Sequence, residues 1–214
     1  MFYEDWETLS IAIDGLAGTG KSTIARNVAI KAGLAYLDTG ATYRVAALVA
    51  NQLNLSLEEV DDLIASLSNR SFEFRDGCLY LDGLDVSVQL RTPEISECAS
   101  RWGTHPQLRQ YLVQWQRSFG ARTRGVVMEG RDIGSVVLPR ARLKIYLFAD
   151  DEVRNSRRLE TPADQLLARD RRDAMRATDP VRAVFDAVTI DSSNRTIAEL
   201  TDEIFGLYRL RIGC

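Results

Sequence analysis

Short apolar runs alternate with stretches of helical spacing along the first part of the chain. An apolar run with β-branched residues, Leu9 to Asp14, ends at a glycine-rich turn, as a buried strand of a parallel sheet does. Helical spacing from Ser22 to Lys31 then stops at Gly33. Ala35 to Asp38 predicts a second strand, and Tyr43 to Leu53 a second helix. This strand–helix–strand order predicts an α/β fold with a parallel sheet flanked by crossover helices.

The middle of the chain shows a period of two instead. Residues 71–75 alternate polar and apolar positions, Asp76-Gly77 is a dipeptide typical of a hairpin turn, and residues 78–81 form the returning strand. The pattern extends to about Val88. We therefore predict a small antiparallel insertion, residues 67–91, in a single α/β core made of residues 1–66 and 92–214.

The parallel pattern resumes after this insertion. Residues 150–177 are charged, rich in arginine and interrupted by Pro162. The remaining expected elements are helices near 56–67, 93–102 and 106–119, strands at Gly125 to Met128, Leu143 to Phe148 and Ala187 to Asp191, and a closing amphipathic helix from Ile197 to Leu210.

Composition narrows the classes of protein to consider. The 214 residues are 45% hydrophobic and 27% charged, as in an ordinary globular protein. The net charge of −3 offers no overall attraction to a nucleic-acid backbone, so we expect no nucleic-acid partner. The N-terminal residues lack the pattern of a signal peptide, and no apolar run has the length of a membrane span. We expect a cytoplasmic protein with no membrane partner.

Cysteine and arginine usage add two further constraints. The cysteines, three in all, are scattered along the chain, which argues against a disulfide framework or a zinc site. Only Lys21, Lys31 and Lys144 are lysines among 27 basic residues. Codon bias in a GC-rich genome accounts for this skew, and so does a need for guanidinium groups that bind phosphate, and the two explanations are compatible.

A phosphate-binding motif follows the first strand. The motif, G-x-x-x-x-G-K-[ST], runs from Gly15 to Ser22 and opens the first helix. Glycines let the backbone wrap around a phosphate, and the helix N-terminus adds a partial positive charge. Lys21 can reach the β- and γ-oxygens, and the Ser22 hydroxyl can ligate Mg²⁺. The predicted ATP-binding residues of this P-loop are Gly15, Leu16, Ala17, Gly18, Thr19, Gly20, Lys21, Ser22 and Thr23.

Four further blocks resemble those of bacterial cytidylate kinases, in the family's order and over nearly the whole chain. Residues 38–44 (DTGATYR) resemble the family's D-[ST]-G-x-x-Y-R segment, and residues 130–137 (GRDIGSVV) its G-R-D-[IM]-G-[ST]-V-V segment. Residues 85–95 are similar to its D-V-S…I-R-T-x-E-[IV] run, and residues 169–176 (RDRRDAMR) to its lid pattern R-D-x-x-D-x-x-R. The resemblance implies a P-loop nucleoside monophosphate kinase with a short helical lid at about 160–178.

The resemblance also implies residues that bind the acceptor nucleotide. Arg131 would contact the acceptor phosphate, and Asp132 would lie near its sugar or base. Thr39 and Arg44 follow a strand at the edge where α/β sheets bind ligands, and Arg44 could hold a monophosphate or simply be solvated. The resemblance implies that Ser100 and Arg109 recognise the cytosine base. It also implies that Arg169, Asp173 and Arg176 belong to the lid. Without the family, Ser100 and Arg109 would be ordinary surface residues.

One residue and one stretch of the chain depart from the family pattern. A third difference keeps the charge but lengthens the side chain. Leu16 replaces the proline or small residue that often follows the first glycine. The stretch between Arg158 and Arg169, which contains Pro162, is shorter than in many relatives, a difference that would affect the rate of lid closure or the nucleotide selectivity. Glu129 stands where relatives often have aspartate and would support Mg²⁺ through water.

These observations predict phosphoryl transfer from ATP·Mg²⁺ to CMP or dCMP. Lys21, Arg131, Asp132, Arg169 and Arg176 are the expected catalytic residues, and Mg²⁺ is the expected cofactor. Three alternatives stay open: a kinase for another or a modified monophosphate, a regulatory NTPase, and, weakest, a nucleic-acid-binding protein. The partners would be small-molecule nucleotides, and we expect a monomer.

Overall fold

A parallel sheet lies at the centre of the part of the chain that carries the P-loop. The computed structural model describes residues 4–75, 78–157, 168, 171–172 and 183–213. Within these residues the sheet has five strands in the spatial order β2-β6-β1-β7-β8, and every pairing is parallel. The strands are β1 (Ile11–Gly15), β2 (Ala35–Asp38), β6 (Val126–Gly130), β7 (Leu143–Phe148) and β8 (Val188–Asp191).

Helices cover this sheet, and capping residues define where they begin and end. Helix α1 (Lys21–Ala32) ends at Gly33, whose φ of 65° is left-handed and whose N–H returns to the carbonyls of Ala29 and Ile30. Helix α7 (Ile197–Ile212) begins with a capping box, in which the Thr196 and Glu199 side chains each accept the other's backbone N–H. Apolar side chains between helices and sheet form the core, among them Ile11, Ile13, Val127, Ile145 and Ile204.

The chain divides into two compact units. The first comprises Met1–Asp38 and Gln116–Cys214, and the second Thr39–Trp115. The first also contains the short helix α6 (Asp151–Ser156) and a turn of π-helix, Ile133–Val137. The second contains α2 (Thr39–Gln52), α3 (Val60–Ser68), β3 (Phe72–Arg75), β4 (Cys78–Leu81), β5 (Leu84–Asp85), α4 (Pro93–Trp102) and most of α5 (Pro106–Gly120).

The second unit has its own core. Helices α2 and α4 pack against each other, and fully buried side chains such as Val45, Leu63 and Leu108 fill the space between the helices and the small sheet. The rings of Phe72 and Trp115 stack with centroids 4.4 Å apart. Strands β3, β4 and β5 pair antiparallel, as the period of two predicts.

The structure corrects two helix starts. Helix α2 begins at Thr39, directly after β2, rather than at Tyr43. The Thr42 hydroxyl donates to the Thr39 carbonyl at 2.7 Å within the first turn of this helix. Helix α3 begins at Val60 rather than near residue 56, because the Ser56 N–H and hydroxyl both donate to the Glu59 carboxylate in a turn.

The expected insertion and the expected lid remain predictions. The predicted insertion, residues 67–91, falls within the second unit, and its boundaries stay a prediction. Asp76-Gly77 and most of the expected lid, including Arg169, Asp173 and Arg176, lie outside the described residues. In the part of the chain that is described, no helix combines the length and apolar character needed to cross a bilayer.

Candidate active site

The P-loop lies at the carboxyl end of β1, the central strand, where parallel sheets bind ligands. Lys21 is 7% exposed, and its ammonium donates to the Leu16 carbonyl at 3.0 Å. The Thr19 hydroxyl donates to the same oxygen, also at 3.0 Å. The loop closes on itself in this way, and a bound triphosphate would give Lys21 phosphate oxygens in place of that carbonyl.

Residues far along the chain hold the outer side of the P-loop. The Arg154 guanidinium, on α6, donates to the Ala17 carbonyl at 3.1 Å, and the Ser192 hydroxyl donates to the Thr19 carbonyl at 2.9 Å. Gly18 has a φ of 82°, and a Cβ there would lie 2.7 Å from the Arg154 carbonyl oxygen. Because the contact is so close, only glycine fits at this position.

A buried carboxylate faces the start of α1. Glu129 on β6 is 3% exposed, and Ser22 donates to its Oε1 at 2.7 Å. Burial raises the pKa of the Glu129 carboxyl, and the negative charge of Asp38, which pairs with it in the neighbouring strand, raises it further. Lys21 and the Ser22 hydrogen bond oppose this rise. A bound cation would also favour the charged carboxylate.

These oxygen ligands suit a hard divalent ion. A hydroxyl and a carboxylate held within hydrogen-bond distance, Ser22 and Glu129, are the kind of donors that Mg²⁺ takes together with phosphate oxygens and water. Asp38 places a second negative charge near Glu129, while Lys21 and Arg131 place positive charges near it. The residues present therefore fit the metal that the sequence predicts.

The Arg131–Asp132 turn follows β6 at the same end of the sheet. The Arg131 guanidinium donates to the Gly15 carbonyl at 2.8 Å, so it lies beside the P-loop. Asp132 is 8% exposed and begins the π-helical turn. The structure thus brings together Lys21, Ser22, Glu129 and Arg131, all of which the sequence analysis singles out.

The other expected acceptor residues lie in the second unit. Thr39 and Arg44 lie on α2, Ser100 on α4 and Arg109 on α5. Ser100 is 5% exposed and Arg109 is 4% exposed. Both residues are therefore buried and are not ordinary surface residues. A buried arginine needs a polar or charged partner. Whether these residues bind an acceptor stays a prediction.

Three contributors escape the sequence analysis. The sequence predicts Asp14 only as the end of a strand, although a polar residue that closes an apolar strand beside a P-loop is a visible signal. Arg154 and Ser192 have no such local signal, because their contacts with the P-loop join residues 137 and 173 positions apart.

Comparison with known proteins agrees with this geometry. The family model described as cytidylate kinase matches residues 11–210. The chain belongs to the cytidylate kinase family.

Individual relatives in the cytidylate kinase family cover the chain almost end to end. The cytidylate kinase of Pseudothermotoga lettingae is 43% identical over 206 residues, which are 91% of this chain and 91% of the relative. The cytidylate kinase of Solibacter usitatus is 40% identical over 94% of this chain and 93% of its own. That of Streptococcus pneumoniae is 38% identical over 92% and 96%, respectively. Membership of this kinase family implies ATP carried with a divalent metal ion.

Proposed function

We propose that this chain transfers the γ-phosphoryl group of ATP·Mg²⁺ to CMP or dCMP and so forms CDP or dCDP. The observation that carries this function is the pairing of a P-loop with an arginine turn at one sheet edge, where Arg131 donates to the Gly15 carbonyl. Membership of the cytidylate kinase family supports the choice of a cytidylate acceptor. A regulatory NTPase is not favoured by membership of a kinase family.

The residues of the first unit would carry the donor side. Backbone amides of residues 15–23 would bind the triphosphate, and Lys21 would exchange the Leu16 carbonyl for the β- and γ-oxygens. Ser22 and, through water, Glu129 would hold Mg²⁺. When bound, this ion neutralises charge on the β- and γ-phosphates.

On the acceptor side, we assign the 5′-phosphate to Arg131 and Arg44, with Thr39 and Asp132 toward the sugar. Direct in-line transfer needs positioning and charge neutralisation more than acid–base chemistry. A chiral γ-phosphate should therefore be transferred with inversion, and retention would contradict the direct route. In the lid, we assign Arg169 and Arg176 to the charge that builds during transfer and Asp173 to the acceptor.

Base selectivity would depend on Ser100 and Arg109. Cytosine presents an amino donor beside two acceptors, and a hydroxyl with a guanidinium can read the acceptors. Uracil would leave buried polar groups of this set without partners, which costs more than a weakened contact. The burial of Ser100 and Arg109 supports a recognition role over a solvated one.

A coupled assay of ADP release with ATP and each common monophosphate tests this function. We expect CMP and dCMP to be preferred, with activity lost in EDTA and restored by Mg²⁺. Arg131→Ala should lower kcat/KM for CMP about a hundredfold, as expected for the loss of two charge-assisted hydrogen bonds.

Arg142→Ala is the matched control, because Arg142 is an exposed arginine that donates to the Thr8 carbonyl. It should leave kcat/KM unchanged. A strong preference for UMP would contradict the acceptor assignment. Steady ATP hydrolysis that ignores CMP would favour a regulatory NTPase.

A further inference from the structure

Asp14 is a buried carboxylate that the proposed mechanism leaves without a role. It lies in β1, one residue before the P-loop, and is 5% exposed. Its Oδ1 accepts the Ile133 N–H at 2.7 Å, and its Oδ2 accepts the Gly134 N–H at 2.8 Å. Both carboxylate oxygens are thus bonded to the first amides of the π-helical turn that follows Asp132.

A third hydrogen bond joins the same two segments, and its donor again lies in the segment that follows β6. Arg131 donates to the carbonyl of Gly15, the residue after Asp14. Gly15 is fixed in the sheet, where it pairs with Leu147 on β7. Two consecutive residues of the first segment therefore hold both ends of the segment from Arg131 to Gly134.

Only a carboxylate meets these two donors. Asparagine has one carbonyl oxygen, so its amide nitrogen would face an N–H, and alanine would leave both backbone donors without a partner. Burial raises the pKa of the Asp14 carboxyl to about 6, and the nearby charge of Asp132 adds to the rise. The two amide bonds and Lys21 lower it. An apolar side chain would avoid this cost, so packing alone does not explain an aspartate here.

We propose that Asp14 is a positioning residue that holds the Arg131–Asp132 turn in place beside the P-loop. The inference rests on the proposed function for the role of Arg131 on the acceptor phosphate. When the turn moves, Arg131 no longer faces the acceptor phosphate, so the loss of Asp14 weakens CMP binding. Asp14 acts through the backbone and does not touch either nucleotide.

The kinetic test compares Asp14→Asn and Asp14→Ala with the wild type. KM for CMP should rise about tenfold in the first, which keeps one acceptor oxygen, and about a hundredfold in the second. KM for ATP should change by less than about threefold, since Arg154 and Ser192 hold the P-loop carbonyls independently of Asp14.

Glu7→Gln is the matched control. Glu7 is also a buried carboxylate, 8% exposed, and it accepts the Arg140 backbone N–H at 2.6 Å and the Arg140 guanidinium at 3.2 Å. A merely structural loss at Asp14 would resemble this variant, with a lower melting temperature and unchanged KM for CMP. If both Asp14 variants keep KM for CMP within about threefold of the wild type, the positioning role is wrong.

A direct measurement covers the case in which an Asp14 variant does not fold. In the ¹³C,¹⁵N-labelled wild type, scalar couplings across the hydrogen bonds should join the Ile133 and Gly134 amide nitrogens to the Asp14 carboxyl carbon. Missing couplings would overturn the inference. Wild-type turnover with CMP tests the proposed function separately, so failure of the couplings or of the KM split with turnover intact concerns Asp14 alone.

Discussion

Two buried carboxylates, Asp14 and Glu129, border the P-loop on adjacent strands. Burial raises the pKa of both carboxyl groups because it disfavours their charged forms. Different contacts stabilise the charged form of each. Asp14 accepts two backbone amides, whereas Glu129 accepts the Ser22 hydroxyl and is left near Asp38. The first arrangement suits a permanent structural contact, and the second suits a cation that comes and goes with the nucleotide.

At the residue scale, Asp14 should make stability depend on pH. Its pKa in the folded protein, about 6, lies above the ordinary value of 3.8. The folded state therefore holds the proton more tightly, and the stabilisation from the protonated carboxyl is full below about pH 4 and is lost as the pH rises through 6. The change amounts to about 3 kcal/mol.

Urea unfolding of the wild type and Asp14→Asn between pH 4 and 7.5 checks this dependence. The difference in free energy of unfolding, wild type minus variant, should fall as the pH rises. A difference that stays constant over this range would contradict the raised pKa.

Ser22 and Glu129 should control the need for magnesium. Ser22→Ala removes one proposed ligand and the hydrogen bond to Glu129, so the Mg²⁺ concentration for half-maximal activity should rise about tenfold. Ser68→Ala, which alters an exposed hydroxyl bonded within its own helix α3, should leave it unchanged. Equal Mg²⁺ requirements in wild type and Ser22→Ala would rule out this assignment.

At the scale of elements, two helices carry glycines for opposite reasons. Gly120 ends α5 beneath the Trp6 ring, and a Cβ there would lie 2.1 Å from a ring carbon. Gly206 lies inside α7, where an added Cβ meets no atom within 4 Å. The first glycine is required by packing, and the second only weakens its helix.

Alanine substitutions should therefore have opposite signs. Gly206→Ala should raise the free energy of unfolding by about 0.5–1 kcal/mol, because alanine favours the helix. Gly120→Ala should lower it by about 1–3 kcal/mol, because the ring must move. Chemical denaturation measures both variants side by side, and a destabilised Gly206→Ala would show that its site in α7 is more crowded than the structure indicates.

At the scale of the whole molecule, the described residues form two hydrophobic cores. Ile145 is 1% exposed in the core of the first unit, and Leu63 is fully buried in that of the second. Helix α5 belongs mostly to the second unit and continues into the first from Gln116. The acidic net charge means that the cations for phosphate binding must be gathered locally.

Separate cores predict separate responses to core mutations. Leu63→Ala should weaken hydrogen-exchange protection mainly in residues 39–115, and Ile145→Ala mainly in the parallel sheet, each by about 2–5 kcal/mol. Exchange measured by mass spectrometry on the two variants checks this expectation. Equal loss of protection throughout the molecule in both variants would show that the two units open as one.

Much of the fold could be read from local pattern. The predicted bounds of β2, β7 and α4 agree with the structure. Strand β7 is an apolar run that is mostly buried, and α4 lies between its Thr92 cap and Gly103. The P-loop motif and the arginine turn are equally local. The four segments that resemble cytidylate kinases indicated a cytidylate as the acceptor, and the comparisons confirm the family.

Local sequence determined the P-loop, the α/β order and the candidate arginines, since helix and strand periods and turn residues act over a few positions. Tertiary structure alone decided which distant groups meet. Asp14 and Ile133 are 119 residues apart, and Arg154 and Ala17 are 137 apart. The same holds for the burial of Ser100 and Arg109. Such contacts depend on the order in which strands assemble into the sheet, which no short stretch of sequence encodes.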